Sequence, residues 1–435
     1  MPLDRRDFIK TAALAAAATS TLSVARAANV KGSDTIKVGL VGCGGRGSGA
    51  AVQALRADPG TVLWSMGDTF NDRLAGSKSG IEGEMSDKAK EKVQVTDARK
   101  FYGIDAYKAV IDSGIDMVIL TTYPNFRPTH INYALEKGKH IFAEKPVAVD
   151  STGIRSVLAA GELAKKKNLA LQIGFCWRYH PAMREAFAAI HSGLIGDITS
   201  VYTNYLTGTL PRNPRKPEWS DLEFQMRNWW HFPWLSGDHI VEQAVHSVDR
   251  LSWAMGDKTP TKIHCLGGRQ ARTGPESGSA YDHFAAIYEY DAPGGVIRAH
   301  HGCRQISDCP SDNTDYIYGT KGKATVNGWS PKTMKLHDYS GKELWAYKGD
   351  PDDMYQVEHN ELFKSIRDGK PINDCPKAPN SVLMAIAARM AAYSGQTLTW
   401  DQALNSKENL QPEKIAFDVK PPDHAVAIPG KYKLM

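Results

Sequence analysis

The sequence predicts an α/β fold in two parts. The first is a doubly wound parallel sheet; the second is an α+β domain with a large, mostly antiparallel, open sheet. Three observations predict this. Short apolar, β-branched runs alternate with helical stretches from Ile36 to Gly174, the pattern of parallel strands buried on both faces. A glycine turn, Gly42-x-Gly44-x-x-Gly47, joins the first such run to the first helix. Beyond residue 176 the alternation stops, and strand-like segments crowd together between Thr261 and Tyr347, as in an antiparallel sheet open on one face.

The N-terminus reads as an export signal rather than as fold. Asp4-Arg5-Arg6-Asp7-Phe8-Ile9-Lys10 is a twin-arginine pattern, an Ala-rich apolar stretch runs to Val24, and Ala25-Arg26-Ala27 is a cleavage site, so residues 1–27 are expected to be removed. The apolar run is too short to span a bilayer. A periplasmic or otherwise exported protein follows, with the twin-arginine machinery as a partner and no membrane span in the mature chain.

Residues 35–175 form the expected nucleotide-binding domain. Ile36–Val41 is its first strand. Gly42 permits the tight turn, Gly44 leaves room for a pyrophosphate, and Gly47 lets helix and strand pack closely. Gly45 and Arg46 open the helix, whose free N–H groups favour a diphosphate. The second strand, Thr61–Met66, leads to Asp68, where a carboxylate reaches the adenosine ribose. This is the Rossmann fingerprint, and it predicts a nicotinamide dinucleotide. No Arg adjoins Asp68, which favours NAD; Arg73 keeps NADP open. Residues 71–100 read as a surface loop plus a charged helix over 86–92. A helix over 107–113 and a strand over 116–122 follow, placing Thr121 and Tyr123 on the cofactor's second half, with His130 in support. After a helix over 128–138, the strand His140–Ala143 delivers Glu144-Lys145-Pro146 to the ligand-binding edge. A helix (151–166) and a sixth strand (169–174) complete the sheet.

Residues 176–400 form the second domain. A helix over 181–191 precedes a strand over 198–206. Residues 207–236 are rich in Pro, Trp, Arg and Asn, and one helix is expected from Asp238 to Met255. The strand cluster comes next, then helices over 355–367 and 379–393. The tail, 401–435, is expected to wrap the surface.

Composition narrows the function. Hydrophobic content of 42% and charge of 23% are those of an ordinary soluble protein. The signal carries four cationic and two anionic side chains, so its removal takes the net charge from +5 to +3. No basic block or basic–aromatic stripe appears, which argues against nucleic acid. The six cysteines have no CxxC or metal-ligand spacing and read as small buried residues; no metal site is expected.

Four features together resemble the glucose–fructose oxidoreductase/inositol dehydrogenase (Gfo/Idh/MocA) family from about residue 35 to 401. They are the glycine turn, Glu144-Lys145-Pro146, Glu242-x-x-x-His246-x-x-Asp249, and Ala391-Ala392-Tyr393-Ser394-Gly395 with Thr399-Trp400. The resemblance implies a Rossmann domain, a C-terminal α/β domain whose sheet makes a homo-oligomer interface, and a cis Lys145–Pro146 bond. The family commonly carries Asp where this chain has Glu242.

The chemistry expected is hydride transfer between a sugar or polyol hydroxyl and a tightly held cofactor. Lys145, at a strand end, hydrogen-bonds the reacting hydroxyl and stabilises developing alkoxide charge. His246 is the general base. Glu242, four residues away on one helix, shares its face and orients the imidazole or binds a neighbouring hydroxyl. Arg178 and Tyr179 at the domain junction are candidate substrate contacts, as are Trp230, His231 and Asp249; packing is the competing reading for each. Two rival functions stay open. One is NAD-dependent glycoside hydrolysis through transient C3 oxidation and elimination; the other is non-catalytic binding of a sugar or partner.

Overall fold

Six parallel strands build the first sheet of the computed structural model, which describes residues 35–350, 352–422 and 425–434. The expected export signal lies outside the described residues. The strands are β1 (Ile36–Val41), β2 (Thr61–Asp68), β3 (Lys100–Tyr102), β4 (Met117–Leu120), β5 (His140–Ala143) and β6 (Leu171–Ile173), in the order β3-β2-β1-β4-β5-β6. Helices α1 (Gly45–Ala57), α2 (Asn71–Glu84), α3 (Ala106–Asp112), α4 (Arg127–Glu136) and α5 (Ser151–Lys167) connect them. With helices on both faces, β4 and β5 are buried at every position, and that is why they read as unbroken apolar runs. The order reverses between β1 and β4, which opens a crevice at the strand C-termini, the ligand position of doubly wound sheets.

One expectation fails here. Much of the stretch read as a surface loop is α2, fourteen residues long despite Gly76, Gly80 and Gly83. Leu74, Ser77 and Ile81 share one buried face, and the Ser77 hydroxyl meets that of Ser48 on α1 at 2.7 Å. Packing of this stripe outweighs the poor helix propensity of glycine. A Cβ at Gly80 would touch nothing within 4 Å. Gly80→Ala is therefore expected to raise stability by about 0.5–1 kcal/mol, read from the midpoint of urea denaturation.

The second sheet has nine strands. They are β7 (Ile198–Thr207), β8 (Lys262–Gly268), β9 (His283–Ala292), β10 (Gly295–Gln305), β11 (Asp315–Gly319), β12 (Gly322–Val326), β13 (Lys335–Asp338), β14 (Glu343–Ala346) and β15 (Leu398–Thr399). Their order is β14-β13-β12-β11-β7-β10-β9-β8-β15. Only the β7–β10 pair is parallel. Burial alternates along β8 and β11; the outward residues Tyr202, Leu266 and Tyr318 are exposed.

Helices α6 (Pro181–His191), α7 (Asp221–Arg227), α8 (His239–Glu242), α9 (Val245–Ala254), α10 (Met354–Arg367) and α11 (Lys377–Ser394) complete the order used below. The helix expected from Asp238 to Met255 is two. Asp238 has φ +76°; its carboxylate caps the His239 N–H at 2.5 Å and accepts the Tyr281 N–H at 2.8 Å. At the break, the Ala244 N–H reaches the His239 carbonyl five residues back. Helix α10 returns to the first sheet. Its Leu362, Phe363 and Ile366 join the core of Ile36, Leu40 and Leu55, and Arg367 grips Asp58 at 2.9 and 2.7 Å. The tail is held by a fully buried ion pair between Arg389 of α11 and Glu408. All six cysteines are free.

Candidate active site

The glycine turn lies at the crevice. Gly42 has φ +99°, and a Cβ there would sit 2.7 Å from the Thr121 backbone. A Cβ at Gly47 would strike the Gly42 carbonyl oxygen, whereas Gly44 and Gly45 have nothing within 4 Å. The turn is thus tight against the protein on one side and open on the other, where the N-terminus of α1 presents its free N–H groups. These residues fit a dinucleotide diphosphate. Asp68 ends β2, its carboxylate accepting the N–H groups of Cys43 at 2.6 Å and Phe70 at 2.9 Å. Burial raises its carboxyl above the usual carboxylate range. Two acceptor positions remain for ribose hydroxyls out of roughly four on a carboxylate.

Two expected cofactor contacts act from behind the turn instead. The Thr121 hydroxyl donates to the Gly42 carbonyl at 2.6 Å, so it braces the loop. The Arg46 guanidinium turns away from the diphosphate: it pairs with Glu144, donates to Gln53 at 2.9 Å and lies over the Tyr355 ring at 4.6 Å. Tyr123 packs edge-on against Trp229 at 5.9 Å, and Trp229 against Trp230 at 5.1 Å, so the Trp-rich stretch meets the end of β4. Both tryptophans are partly exposed.

Glu144 links this loop to Lys145. Its second oxygen accepts the Lys145 N–H at 3.1 Å, and the Lys145–Pro146 bond is cis. The Lys145 Nζ donates to the Glu242 carbonyl oxygen at 2.6 Å and lies 3.7 Å from the Glu242 carboxylate. Glu242 therefore faces Lys145, not His246. The break between α8 and α9 removes the one-turn register that the spacing of four implied. His246 is partly exposed, with Nδ1 buried and unpartnered. Burial, then the charges of Lys145, Arg250 and Arg46, hold its pKa well below the usual imidazole value. It is a neutral ring with a free lone pair beside an ammonium.

Four expected substrate contacts are structural. Arg178 holds Asp249 through two bonds of 2.8 Å and Asp257 through bonds of 2.7 and 3.1 Å, and Ser381 also donates to Asp249. Neither charge is free for a ligand. His231 is fully buried, with Arg272 donating to Nδ1 at 2.7 Å and Nε2 donating to the Pro211 carbonyl at 3.3 Å. Tyr179 is also buried, with the Arg184 guanidinium 4.9 Å over its ring.

The sequence reading missed Arg127 and Glu358. Arg127, buried, donates to the carbonyls of Pro146 at 2.5 Å and Thr122 at 2.7 Å, tying the Lys145 turn to the end of β4. Burial pushes its guanidinium down to about 10. A cation in the first turn of a helix opposes the dipole, and that was the signal available. Glu358 on α10 is fully buried, neither carboxylate oxygen makes a hydrogen bond, and the Arg46 guanidinium lies 4.0 Å from one of them. Burial and then Glu144 raise its pKa well above the ordinary range, against the opposing pull of Arg46.

Buried neutral histidines set a pH dependence. Burial lowers His130 and His301 to about 3 and His231 to about 4, and takes His239, His246 and His359 well below their ordinary value. Below about pH 6.5 the unfolded chain binds protons that the native one refuses, so their stabilisation is complete above that pH and is lost as pH falls. Glu358, Asp374 at about 6, and the Asp68, Asp238 and Asp315 carboxyls, all raised by burial, act oppositely: their contribution is present at low pH and lost as pH rises through the native values. The histidines outnumber them. The melting temperature is expected to fall between pH 7 and 5; a flat or rising profile in thermal scans refutes this.

Residues 36–175 match the family described as "Oxidoreductase family, NAD-binding Rossmann fold", and residues 183–325 match "GFO/IDH/MocA C-terminal domain". Among curated proteins, the chain is 27% identical over 256 residues to trans-1,2-dihydrobenzene-1,2-diol dehydrogenase of Mus musculus, covering 58% of this chain and 66% of that one. It is 25% identical over 224 residues to inositol 2-dehydrogenase 3 of Saccharopolyspora erythraea, covering 52% and 55%. The chain thus spans less than two thirds of either relative. Among solved structures, levoglucosan dehydrogenase in complex with NADH and levoglucosan superposes with TM-score 0.65 at 18% identity, covering 84% of this chain and 99% of that one. Scyllo-inositol dehydrogenase from Lactobacillus casei gives 0.61 at 19%, covering 84% and 98%. At these identities the structural likeness establishes the fold.

Proposed function

The chain belongs to the GFO/IDH/MocA family of NAD-binding oxidoreductases, and from that premise we propose that it is an exported sugar or polyol dehydrogenase. NAD, when bound, supplies the hydride acceptor. The remaining work falls to the chain's own groups. Lys145, fixed by Glu144 and the Glu242 carbonyl, donates a hydrogen bond to the reacting hydroxyl and stabilises negative charge on its oxygen. His246 takes the hydroxyl proton on a ring nitrogen. Trp229 and Trp230 offer faces on which the C–H side of a sugar ring stacks. The single observation that carries this reading is the unpartnered, neutral His246 beside the Lys145 ammonium.

Export is supported by the Arg5-Arg6 pattern. Because no free NAD pool exists outside the cytoplasm, the cofactor stays bound through successive turnovers. The test is mass spectrometry of nucleotide carried by the native protein. A panel of levoglucosan, myo-inositol, scyllo-inositol and glucose, followed at the NADH absorbance band, completes it. Co-purified NAD and reduction by at least one panel member are expected. A protein that carries no nucleotide and reduces none with any of them overturns the proposal. Release of an aglycone without NADH accumulation would move it to the hydrolytic cycle.

A further inference from the structure

We propose that residues outside the Rossmann sheet complete the cofactor site: Arg227 from the 207–236 insertion and Phe417 from the tail close with Phe70 over the adenosine end and retain the dinucleotide. The inference rests on the dinucleotide reading above. Asp68 marks the adenosine end, and Phe70 lies two residues beyond it. The Arg227 guanidinium covers the Phe70 ring at 4.1 Å, and the Phe417 ring packs against it at 6.0 Å. Arg227 also grips Asp72, in the first turn of α2, through bonds of 3.1 and 3.2 Å, and Glu223 at 2.8 Å. Segments far apart in sequence thus meet at one loop of the nucleotide-binding half.

Phe70 also belongs to a third core. Phe70 and Phe126 pack there with Leu222 and Met226 of α7, and Leu410 and Ile415 of the tail lie against them. Its Rossmann members follow the C-terminal ends of β2 and β4, the edge that carries the cofactor. The tail is fastened on both sides of this crossing. Before it, Glu408 pairs with Arg389, and the Leu410 N–H donates to Asp150 at 2.8 Å. After it, the Tyr281 hydroxyl donates to the Ala427 carbonyl at 2.7 Å, and the Gly430 N–H to the Ser394 carbonyl at 2.9 Å. Beside the crossing, an open hollow of about 630 Å³ lies between Tyr102, Gly103, Ile104 and Ile415. The Gly103 N–H bonds the Asp68 carbonyl at 3.0 Å, so the hollow adjoins the adenosine end, and the tail spans that edge without filling it. Dissociation then requires the Arg227–Asp72 pair and the Phe417 contact to open.

The experiment loads the full-length protein with NADH, chases with excess NAD and follows the loss of bound-NADH fluorescence. The Arg227→Ala/Phe417→Ala double variant is expected to release NADH at least about tenfold faster than the parent. Asp72→Asn, which keeps both clasping side chains and removes one charge, is expected to release it about threefold faster or more; it also serves should the double variant fail to fold. Off-rates in the folded variants within about twofold of the parent overturn the inference and leave the oxidoreductase reading intact. A parent that binds no NADH overturns both.

Discussion

Replacing Lys145 by alanine lowers turnover of the responsive panel sugar by about 10²–10³-fold, the range seen when one donor to a developing oxyanion is removed. NADH binding stays within about threefold, because the diphosphate is held by the glycine turn and the α1 N-terminus. The Glu144 carboxylate holds the Lys145 backbone N–H and the Glu242 carbonyl holds its ammonium, and both groups survive the substitution. The loss therefore falls on kcat and leaves the fold intact. Lys145→Arg does not restore the rate: a planar fork cannot place one proton where a compact ammonium does. A Lys145→Ala enzyme with parental kcat, measured by NADH absorbance, removes Lys145 from the chemistry.

The largest stability effect is expected at Arg389. It is fully buried on α11, donating to the Val149 carbonyl at 2.7 Å and the Gly237 carbonyl at 3.4 Å and pairing with Glu408. Arg389→Ala leaves the Glu408 carboxylate buried without its cation, still accepting from the Tyr432 hydroxyl at 3.0 Å. Breaking one side of such a pair costs roughly 3–5 kcal/mol. The Arg389→Met/Glu408→Met double variant recovers much of the loss, since it strands no charge. Urea denaturation of the three proteins distinguishes this from simple loss of packing, in which the double variant would be the least stable.

Whatever rests on local pattern could be read from the sequence. β4 and β5 show as apolar runs because both faces are buried, and Lys145 is placed by the strand it ends. The glycine turn is legible because its backbone demands are local. Partners distant in the chain left no such mark. Arg178 and Asp249 look like ligand contacts until they are found holding each other, 71 residues apart. His231 looks available until Arg272 occupies it. The α8–α9 break left no mark in the local pattern, and the capture of Asp238 by Tyr281 and Tyr393, which fixes where α8 starts, comes from elsewhere in the fold. Glu358 sits on a helix whose charged residues otherwise suit solvent, and only the packing of α10 against the first sheet reveals it as buried.

That packing ties the first sheet to a part of the chain made much later. Asp58 and its partner Arg367 are 309 positions apart, and Leu362, Phe363 and Ile366 close the apolar floor beneath α1. During translation the nascent N-terminal half emerges with one wall missing, and it acquires that wall only when most of the polypeptide has been made. A chain cut before Met354 would therefore leave Ile36, Leu40 and Leu55 without Leu362, Phe363 and Ile366, and Asp58 without Arg367.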